Sequence, residues 1–396
     1  MQIVQCHNKY FLAMLVLLVI PISGLSIDIY VPSLPAVSHY FGADKALAQL
    51  TVTSYMMGLS VMQIFGGSIS DSFGRRNPFL ISMFIYIAVT LWIPFAHSIQ
   101  ELLWLRLFQG MAVAVTVVPM RSVISDLFEG REFYKMTNYM TMAWSIGPIV
   151  APAIGGYLQY YFNWQASFYF LSIYSGLIFL LMLIFLPETS QHRHSFRLVQ
   201  IFLRYKQILF HKEYAAGLII NGMLYSFIVL FSIVGPFLIQ TVLHYSAIEF
   251  GHIALLMGLA WFLGMITNRF FIDVPLAKKT KLCFWIVWAI ILLMLCLTYL
   301  FPLNIYNIVI PIFFLLWVGS IVFPSYFARN MALFPHISGS ANALFGASVF
   351  FIAGINSAFG TLLKSTSEIP LAIAYFVIIN ICLIVYYLDN SNRLTP

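Results

Sequence analysis

The chain has 396 residues, of which 61% are hydrophobic and only 8% are charged, whereas soluble globular proteins carry about 25% charged residues. This composition excludes an ordinary soluble enzyme. The apolar runs follow a helical period and lack the strict alternation of an outer-membrane barrel. We therefore expect an all-α membrane protein that crosses the bilayer many times.

Apolar stretches of about 18–25 residues, long enough to cross a hydrocarbon layer, recur along the chain. Short polar or Gly- and Pro-containing breaks separate them, and the pattern predicts twelve transmembrane helices. In chain order these helices cover residues 10–35, 47–69, 78–96, 101–124, 136–158, 165–186, 215–240, 248–271, 282–300, 305–328, 340–363 and 369–388.

The longest break follows the sixth span and contains five basic residues. It predicts an N-terminal six-helix bundle over residues 1–186, a cytoplasmic linker over 187–214 and a C-terminal six-helix bundle over 215–396. His192 and His194 in this linker are more typical of a solvated surface than of a metal site. No metal site is therefore predicted.

Most of the 20 Lys and Arg residues fall on one side of the spans when the N-terminus is placed inside. Positively charged loops stay in the cytoplasm in inner-membrane proteins. The pattern predicts a multi-pass protein of a bacterial-type inner membrane with both termini in the cytoplasm. The net charge of +7 then reflects topology, and no nucleic-acid partner is expected.

The sequence lacks the motifs of ATP hydrolysis and of the common hydrolases, so the chain is not predicted to be an enzyme. The functional candidates are the few charges among apolar residues, where charge is costly. Between the second and third spans, residues 67–76 read GSISDSFGRR. Gly74 permits a tight turn, and Asp71 can pair with a nearby cation or helix end. A plain positively charged loop is the alternative.

Six segments together resemble the major facilitator superfamily and, within it, the Bcr/CflA-type drug:proton antiporters. The loop at 67–76 is similar to motif A, with Ser72 where a basic residue is usual. The fifth span, with GPIVAPAIGG at 147–156, is similar to the antiporter motif C. The other segments are DIYVPSLP at 28–35, RLFQG at 106–110, which is similar to motif B, PET at 187–189 and GSANALFG at 339–346.

The resemblance implies two six-helix bundles around a cavity that opens to one side at a time, with the proton as coupling ion and no other cofactor. Family precedent favours a monomer, and motif C is linked with export. Its glycines permit close helix packing and its prolines bend the helix, so it is a candidate pivot and proton seal. Its residues are Gly147, Pro148, Pro152, Gly155 and Gly156.

Asp28 is the one carboxylate that we place inside the first-half bundle away from a loop, and Arg106 is the cation at a similar depth. Burial favours a protonated carboxyl group, whereas a nearby Arg favours the ionised form. We predict that Asp28 carries the transported proton, or competes for it with a cationic substrate, and that Arg106 tunes it. A static structural ion pair is the alternative.

Polar and aromatic residues are predicted to line the cavity. Gln109 lies three residues from Arg106 and therefore on the same helical face, and a polar stripe follows the seventh span. Such stripes also occur where helices only hydrogen-bond to one another. The candidates are Tyr30, Tyr55, Gln109, Asn221, Tyr225 and Ser232.

A conformational gate is predicted at motif A. Asp126 ends the fourth span near the depth of Arg75, and we expect it to pair with motif A in the outward-facing state. The second half has only a degenerate counterpart, with Asn268 where the Asp would stand. The gate residues are Gly67, Asp71, Gly74, Arg75, Arg76 and Asp126.

The leading hypothesis is a proton-coupled exporter of small amphipathic or cationic compounds, surrounded by membrane lipid. The alternatives are an exporter dedicated to one metabolite or siderophore, a proton-coupled uptake transporter, and a non-transporting membrane sensor or scaffold. Costly intramembrane charge argues against the last.

Overall fold

The computed structural model describes residues 9–190, 198–364 and 367–389, and within these residues all regular structure is helical. The linker residues 191–197, with His192 and His194, lie outside the described residues, as do both chain ends. The helices up to the linker are α1 (Lys9–Val19), α2 (Ile22–Asp28), α3 (Leu34–Tyr40), α4 (Lys45–Phe73), α5 (Arg76–Trp92), α6 (Ile99–Leu127), α7 (Gly130–Tyr161) and α8 (Gln165–Phe185). The remaining helices are α9 (Leu198–Leu209), α10 (Lys212–Pro236), α11 (Ala247–Thr267), α12 (Leu276–Leu300), α13 (Ile305–Ile321), α14 (Phe323–Ala332), α15 (Ser338–Gly360) and α16 (Ile369–Leu388).

Ten helical segments in the described part of the chain are long and apolar enough to cross a membrane. Helices α4 and α7, with 29 and 32 residues, are also long enough but are more polar. These twelve segments correspond to the twelve predicted spans. Several polar side chains of α4 are buried against other helices; Gln49, Thr51 and Gln63 are at most 5% exposed.

The ends of the helices follow from local sequence. The first span is interrupted at Pro21, where α1 ends and α2 begins, because proline cannot donate the helical hydrogen bond. Ser98 caps α6 by accepting a hydrogen bond from the backbone N–H of Glu101. Ser246 and Glu249 form a reciprocal capping box at the start of α11. The predicted linker also contains a helix, α9, that the sequence did not predict.

Successive spans run in opposite directions, so their ends form two layers. We call one layer the basic end; it contains Lys9, Arg75, Arg131 and Lys278, and it is the side predicted to be cytoplasmic. The opposite layer, here the far end, contains Asp44, Phe162 and Phe301. The prediction of sidedness and the domain boundaries at 186 and 214 stay predictions.

The first six spans contact the last six mainly through α4 with α15 and α7 with α11. The hydrogen bonds that the described residues form between these two groups lie in the middle of the helices or at the far end. They join Gln49 to Ile233, Thr53 to Ser357, Ser60 to Ala347, Tyr157 to His252 and Gln240 to Pro32. The far end is therefore closed in this conformation.

Candidate functional site

A cavity of about 30 Å³ lies between the two groups of spans, walled mainly by α2, α7, α10 and α11. Pockets for drug-sized ligands measure about 300–1,000 Å³. The helices must therefore move apart before such a ligand could enter. The side chains that give the cavity its chemical character are Asp28, Trp144, Tyr225, Ser232, Trp261 and Phe262.

Asp28 is the acidic residue of this cavity. It is the last residue of α2 and is half-buried. Within residues 9–190, 198–364 and 367–389, its carboxylate forms neither a hydrogen bond nor an ion pair. An intramembrane carboxylate without a protein partner is a candidate acceptor for a proton or for the cationic group of a ligand.

Arg106 is fully buried in the first-half bundle and lies among aromatic rings. Its guanidinium carbon is 4.5 Å from the ring centroid of Tyr55 and 5.0 Å from that of Tyr30. One N–H group also donates to the backbone oxygen of Ser26 at 3.1 Å. In the described part of the chain no ion pair joins Arg106 to Asp28. The static ion pair that the sequence left open is thus not formed in this conformation, and cation–π contacts stabilise the guanidinium instead.

Only two of the six residues predicted to line the cavity do so here, Tyr225 and Ser232. Gln109 accepts a hydrogen bond from Arg106 and donates one to Thr90, inside the first-half bundle. The helical spacing placed Gln109 and Arg106 on one face correctly, but this face points into the bundle. The four residues that are buried away from the cavity are Tyr30, Tyr55, Gln109 and Asn221.

The sequence analysis missed the aromatic walls of the cavity. Trp261 packs edge-to-face on Tyr225, with ring centroids 6.2 Å apart. Trp144 and Phe262 complete the aromatic part of the lining. Their spacing carries no signal that separates them from the many aromatic residues facing lipid or neighbouring helices.

The motif A residues form a cluster of charges at the basic end. Arg75 is bonded to Asp71 at 2.5 Å and, through its Nε atom, to Asp126 at 3.3 Å. The pair with Asp126, which we expected in the outward-facing state, is therefore already formed in this conformation, in which the far end is closed. Both carboxylates hold the pKa of Arg75 above its usual value, against the opposing effect of burial. Arg76 donates to the backbone oxygens of Leu186 and Leu183.

Glu188 adds a carboxylate that the sequence analysis had not assigned to this cluster. It accepts hydrogen bonds from the backbone N–H groups of Arg75 at 2.8 Å and Arg76 at 3.3 Å. These groups begin α5, so Glu188 compensates unsatisfied donors and the positive end of the helix dipole. Thr189 bonds to Asp126 at 2.8 Å. The PET segment therefore ties the end of the sixth span to motif A.

Two glycines of motif A differ sharply in what surrounds them. Gly74 has φ +92°, and a Cβ atom there would lie 2.2 Å from Oε2 of Glu188. At Gly67 a Cβ atom would meet nothing within 4 Å. In this conformation both the backbone and the space around it favour glycine at position 74, whereas neither restricts the residue at position 67.

The glycines of motif C pack against two different helices. A Cβ atom at Gly155 would lie 1.9 Å from the backbone oxygen of Ile29, in the first span. At Gly156 it would lie 2.5 Å from the backbone oxygen of Ala247, at the start of α11. Gly147 approaches the backbone of Pro21. Helix α7 continues through Pro148 and Pro152 and lies between the first span and the second half.

The second half has its own polar cluster at the basic end, which the sequence analysis did not predict. Lys279 is 6% exposed, and its ammonium donates to Oδ1 of Asn268 and to Oγ of Ser325, both at 2.6 Å. Next to it, Arg329 forms an ion pair with Asp389 at 2.7 Å. Asn268 stands where the degenerate motif of the second half would have the Asp of motif A. It accepts a hydrogen bond from a cation, as Asp71 does in the first half.

Comparison with known proteins gives the family. The profile of the Major Facilitator Superfamily matches residues 16–389. The chain belongs to this superfamily. The predicted fold class and family are confirmed, and this superfamily member is a multi-pass membrane transporter of small-molecule substrates, not an enzyme.

Two bacterial relatives align over nearly their full length. A bicyclomycin resistance protein homolog of Haemophilus influenzae is 25% identical over 383 residues, which is 93% of each chain. Multidrug resistance protein D of Escherichia coli is 25% identical over 397 residues, 98% of each chain. Among solved structures, a D-xylose-proton symporter superimposes with a TM-score of 0.74 over 94% of this chain and 96% of the symporter. At 14% identity, this likeness shows the fold alone.

Proposed function

We propose that the protein is a proton-coupled antiporter that exports small amphipathic or cationic compounds by alternating access. The observation that carries the proposal is Asp28, a carboxylate without a protein partner in the described residues, in the cavity between the two halves. Such a group binds either a proton or a cation, and this competition couples the two fluxes. The relatives named for bicyclomycin and multidrug resistance support export of drugs.

The lining of the cavity favours an amphipathic substrate. Trp144, Trp261 and Phe262 supply apolar and aromatic surface, and Asp28 supplies one negative charge. Aromatic faces attract cations as well as apolar groups. A flat, lipophilic cation can contact the aromatic rings and the carboxylate of Asp28 at the same time, whereas the carboxylate would repel an anion.

The proposed cycle begins from the conformation described here, which is closed at the far end. When the helices separate at the basic end, substrate reaches Asp28. The bound substrate then displaces the proton from Asp28. Closure at the basic end and opening at the far end then release the substrate and reload the proton. The arrangement around Arg75 and Asp126 is the proposed gate of this movement, and α7 with motif C is the proposed pivot.

The proton gradient supplies enough energy for this exchange. One proton moving through 100 mV releases about 2.3 kcal/mol, and each unit of pH difference adds roughly 1.4 kcal/mol. No cofactor other than the proton is proposed. We also propose that the protein works as a monomer in a bacterial-type inner membrane with both termini in the cytoplasm.

The proposal is tested with purified protein in liposomes carrying an imposed pH gradient and a panel of lipophilic cations and neutral drugs. We expect Asp28→Asn to reduce proton-driven transport by at least about tenfold, because an amide cannot exchange a proton in the membrane interior. Asp44→Asn, a carboxylate change outside the cavity at the far end, is the matched control and should retain transport. Full pH-dependent transport by Asp28→Asn would contradict the proposal.

The same liposomes separate the alternatives. An exporter moves substrate against the direction of proton flow, whereas an uptake transporter moves both in one direction. Transport of a single compound from the panel would favour a dedicated exporter. Binding without any flux would favour a sensor.

A further inference from the structure

The turn between α11 and α12 presents an unusual excess of positive charge at the basic end. Over residues 268–282 the chain has four cations, Arg269, Lys278, Lys279 and Lys281, and one acid, Asp273. Arg269, Lys278 and Lys281 are exposed, and Lys279 is buried directly among them. We call these four cations the α11–α12 basic patch.

Lys279 is held by the protein without being neutralised. Its two partners, Asn268 and Ser325, are uncharged, and in the described residues no carboxylate lies within 4.0 Å of its nitrogen. An ammonium group has three N–H donors, so one remains unused by these partners. A buried charge without a counter-ion is costly. An anion from outside the protein would offset this cost.

In the first half, the corresponding cation is neutralised by carboxylates of the protein itself. There Arg75 is bonded to Asp71 and Asp126, and Glu188 caps the start of the next helix. In the second half an amide, Asn268, stands in the place of the first carboxylate. The anion that the first half carries in its own sequence is therefore missing at the α11–α12 basic patch.

The surface next to the patch is apolar and faces outward. Phe270 is 82% exposed, Ile272 is 74% exposed and Leu282 is 62% exposed. At the edge of a membrane protein, such side chains contact acyl chains while neighbouring cations contact headgroups. The combination matches a molecule that has a phosphate and long hydrocarbon chains.

We propose that the α11–α12 basic patch binds the phosphate headgroup of an anionic phospholipid. The exposed Arg269, Lys278 and Lys281 contact the phosphate, and the charge of Lys279 beneath them strengthens its attraction. The acyl chains lie along Phe270 and Ile272. The bound lipid supplies the negative charge that motif A contains internally in the first half.

The test measures which lipid stays with the full-length protein. The protein is reconstituted in nanodiscs of phosphatidylcholine and phosphatidylglycerol with identical acyl chains, and retained lipids are quantified by native mass spectrometry. We expect preferential retention of phosphatidylglycerol. Each exposed cation near an anionic lipid contributes about fivefold to affinity, so Lys278→Gln should reduce the preference about fivefold, and Lys278→Gln with Lys281→Gln should reduce it further.

Two variants make the result specific. Arg131→Gln with Lys135→Gln removes two exposed cations from the basic end of the first half and should leave the preference unchanged. Asn268→Asp places a carboxylate where the amide oxygen now lies 2.6 Å from Lys279. This variant supplies the missing anion internally and should weaken phosphatidylglycerol retention without removing any cation.

Three results would overturn the proposal. The first is equal retention of the two lipids by the wild-type protein. The second is an equal loss of preference in the Lys278→Gln, Lys281→Gln variant and the Arg131→Gln, Lys135→Gln control. The third is displacement of phosphatidylglycerol by millimolar inorganic phosphate, which would identify a site for free anions.

Discussion

Each half has a largely buried cation at its basic end, but the groups that bond to this cation differ between the two halves. In the first half, Arg75 is bonded by Asp71 and Asp126, and Glu188 joins them to the end of the sixth span. In the second half, Lys279 is bonded by neutral oxygens, and the ion pair of Arg329 with Asp389 is separate from it.

The two ion pairs also differ in burial. The two cations are similarly buried, with Arg75 12% and Arg329 16% exposed, but Asp71 is 48% exposed whereas Asp389 is 3% exposed. A solvated carboxylate such as that of Asp71 can leave its partner at little cost to itself, because water replaces the partner. A buried pair resists breaking, because each charge would remain desolvated. We therefore predict that the first half rearranges at its basic end and that the second half stays in place.

The largest effect is expected from Asp389→Asn. Arg329 would keep its hydrogen bond to the backbone oxygen of Glu213 but lose its ion pair with Asp389. Breaking a buried pair from one side costs about 3 kcal/mol. We expect a clear fall in the thermal unfolding midpoint of the purified protein. A midpoint equal to that of the wild type would show that the second half is not held in this way.

The next effect is expected from Gly74→Ala. The substitution forces an L-residue into a positive φ, which costs about 1–3 kcal/mol, and its Cβ atom would displace Glu188. We expect transport to fall several-fold in the liposome assay. Gly67→Ala is the matched control in the same motif, because its Cβ atom meets nothing, and it should behave as the wild type. Equal effects of the two substitutions would remove the assigned role of Gly74.

These two substitutions also show what could be predicted from the sequence. The spans follow from hydrophobicity, and the motif A turn follows from Gly74 and the charges beside it. The sequence could not show that the space beside Gly67 is open, because that depends on which neighbour faces it. Nor could it place Asp389 against Arg329, since the two residues are 60 positions apart and belong to no recognisable motif.

At the cavity too, the sequence pattern predicts which residues matter but not how they pack. Asp28 was identified because a carboxylate within an apolar span is rare. Arg106 was identified for the same reason, yet the structure surrounds it with Tyr30 and Tyr55 and leaves Asp28 apart. Helical spacing gives the face of a helix, but the choice between bundle interior and cavity depends on how the neighbouring helices are rotated.

A smaller effect is expected from Asp126→Lys, which tests the rearranging half. Arg75 would keep Asp71 but face a new positive charge, and Thr189 would lose its acceptor. Because these groups are partly solvated, we expect the loss of interaction free energy to be about 1 kcal/mol. This corresponds to about a fivefold change in transport rate. The unfolding midpoint should shift less than in Asp389→Asn. An unchanged transport cycle would count against a gate at Asp126.

The smallest effect is expected from Glu132→Gln, at an exposed ion pair of the first half. Glu132 lies 2.6 Å from Lys9, and it also accepts a hydrogen bond from Tyr10. The hydrogen bond from Lys9, followed by that from Tyr10, lowers the pKa of Glu132 below its usual value. A depressed pKa in the folded state stabilises the protein above the unfolded-state pKa, and this contribution disappears as the pH falls through the folded-state pKa.

At neutral pH we therefore expect Glu132→Gln to lower the unfolding midpoint only slightly, and in acid the variant and the wild type should converge. Glu129→Gln, an exposed acid three residues earlier, controls for the general loss of a negative charge. A loss as large as that of Asp389→Asn would mean that the basic end of the first half is as rigidly paired as that of the second. The contrast between a rearranging half and a fixed half would then fail, because burial would no longer determine which ion pairs can open.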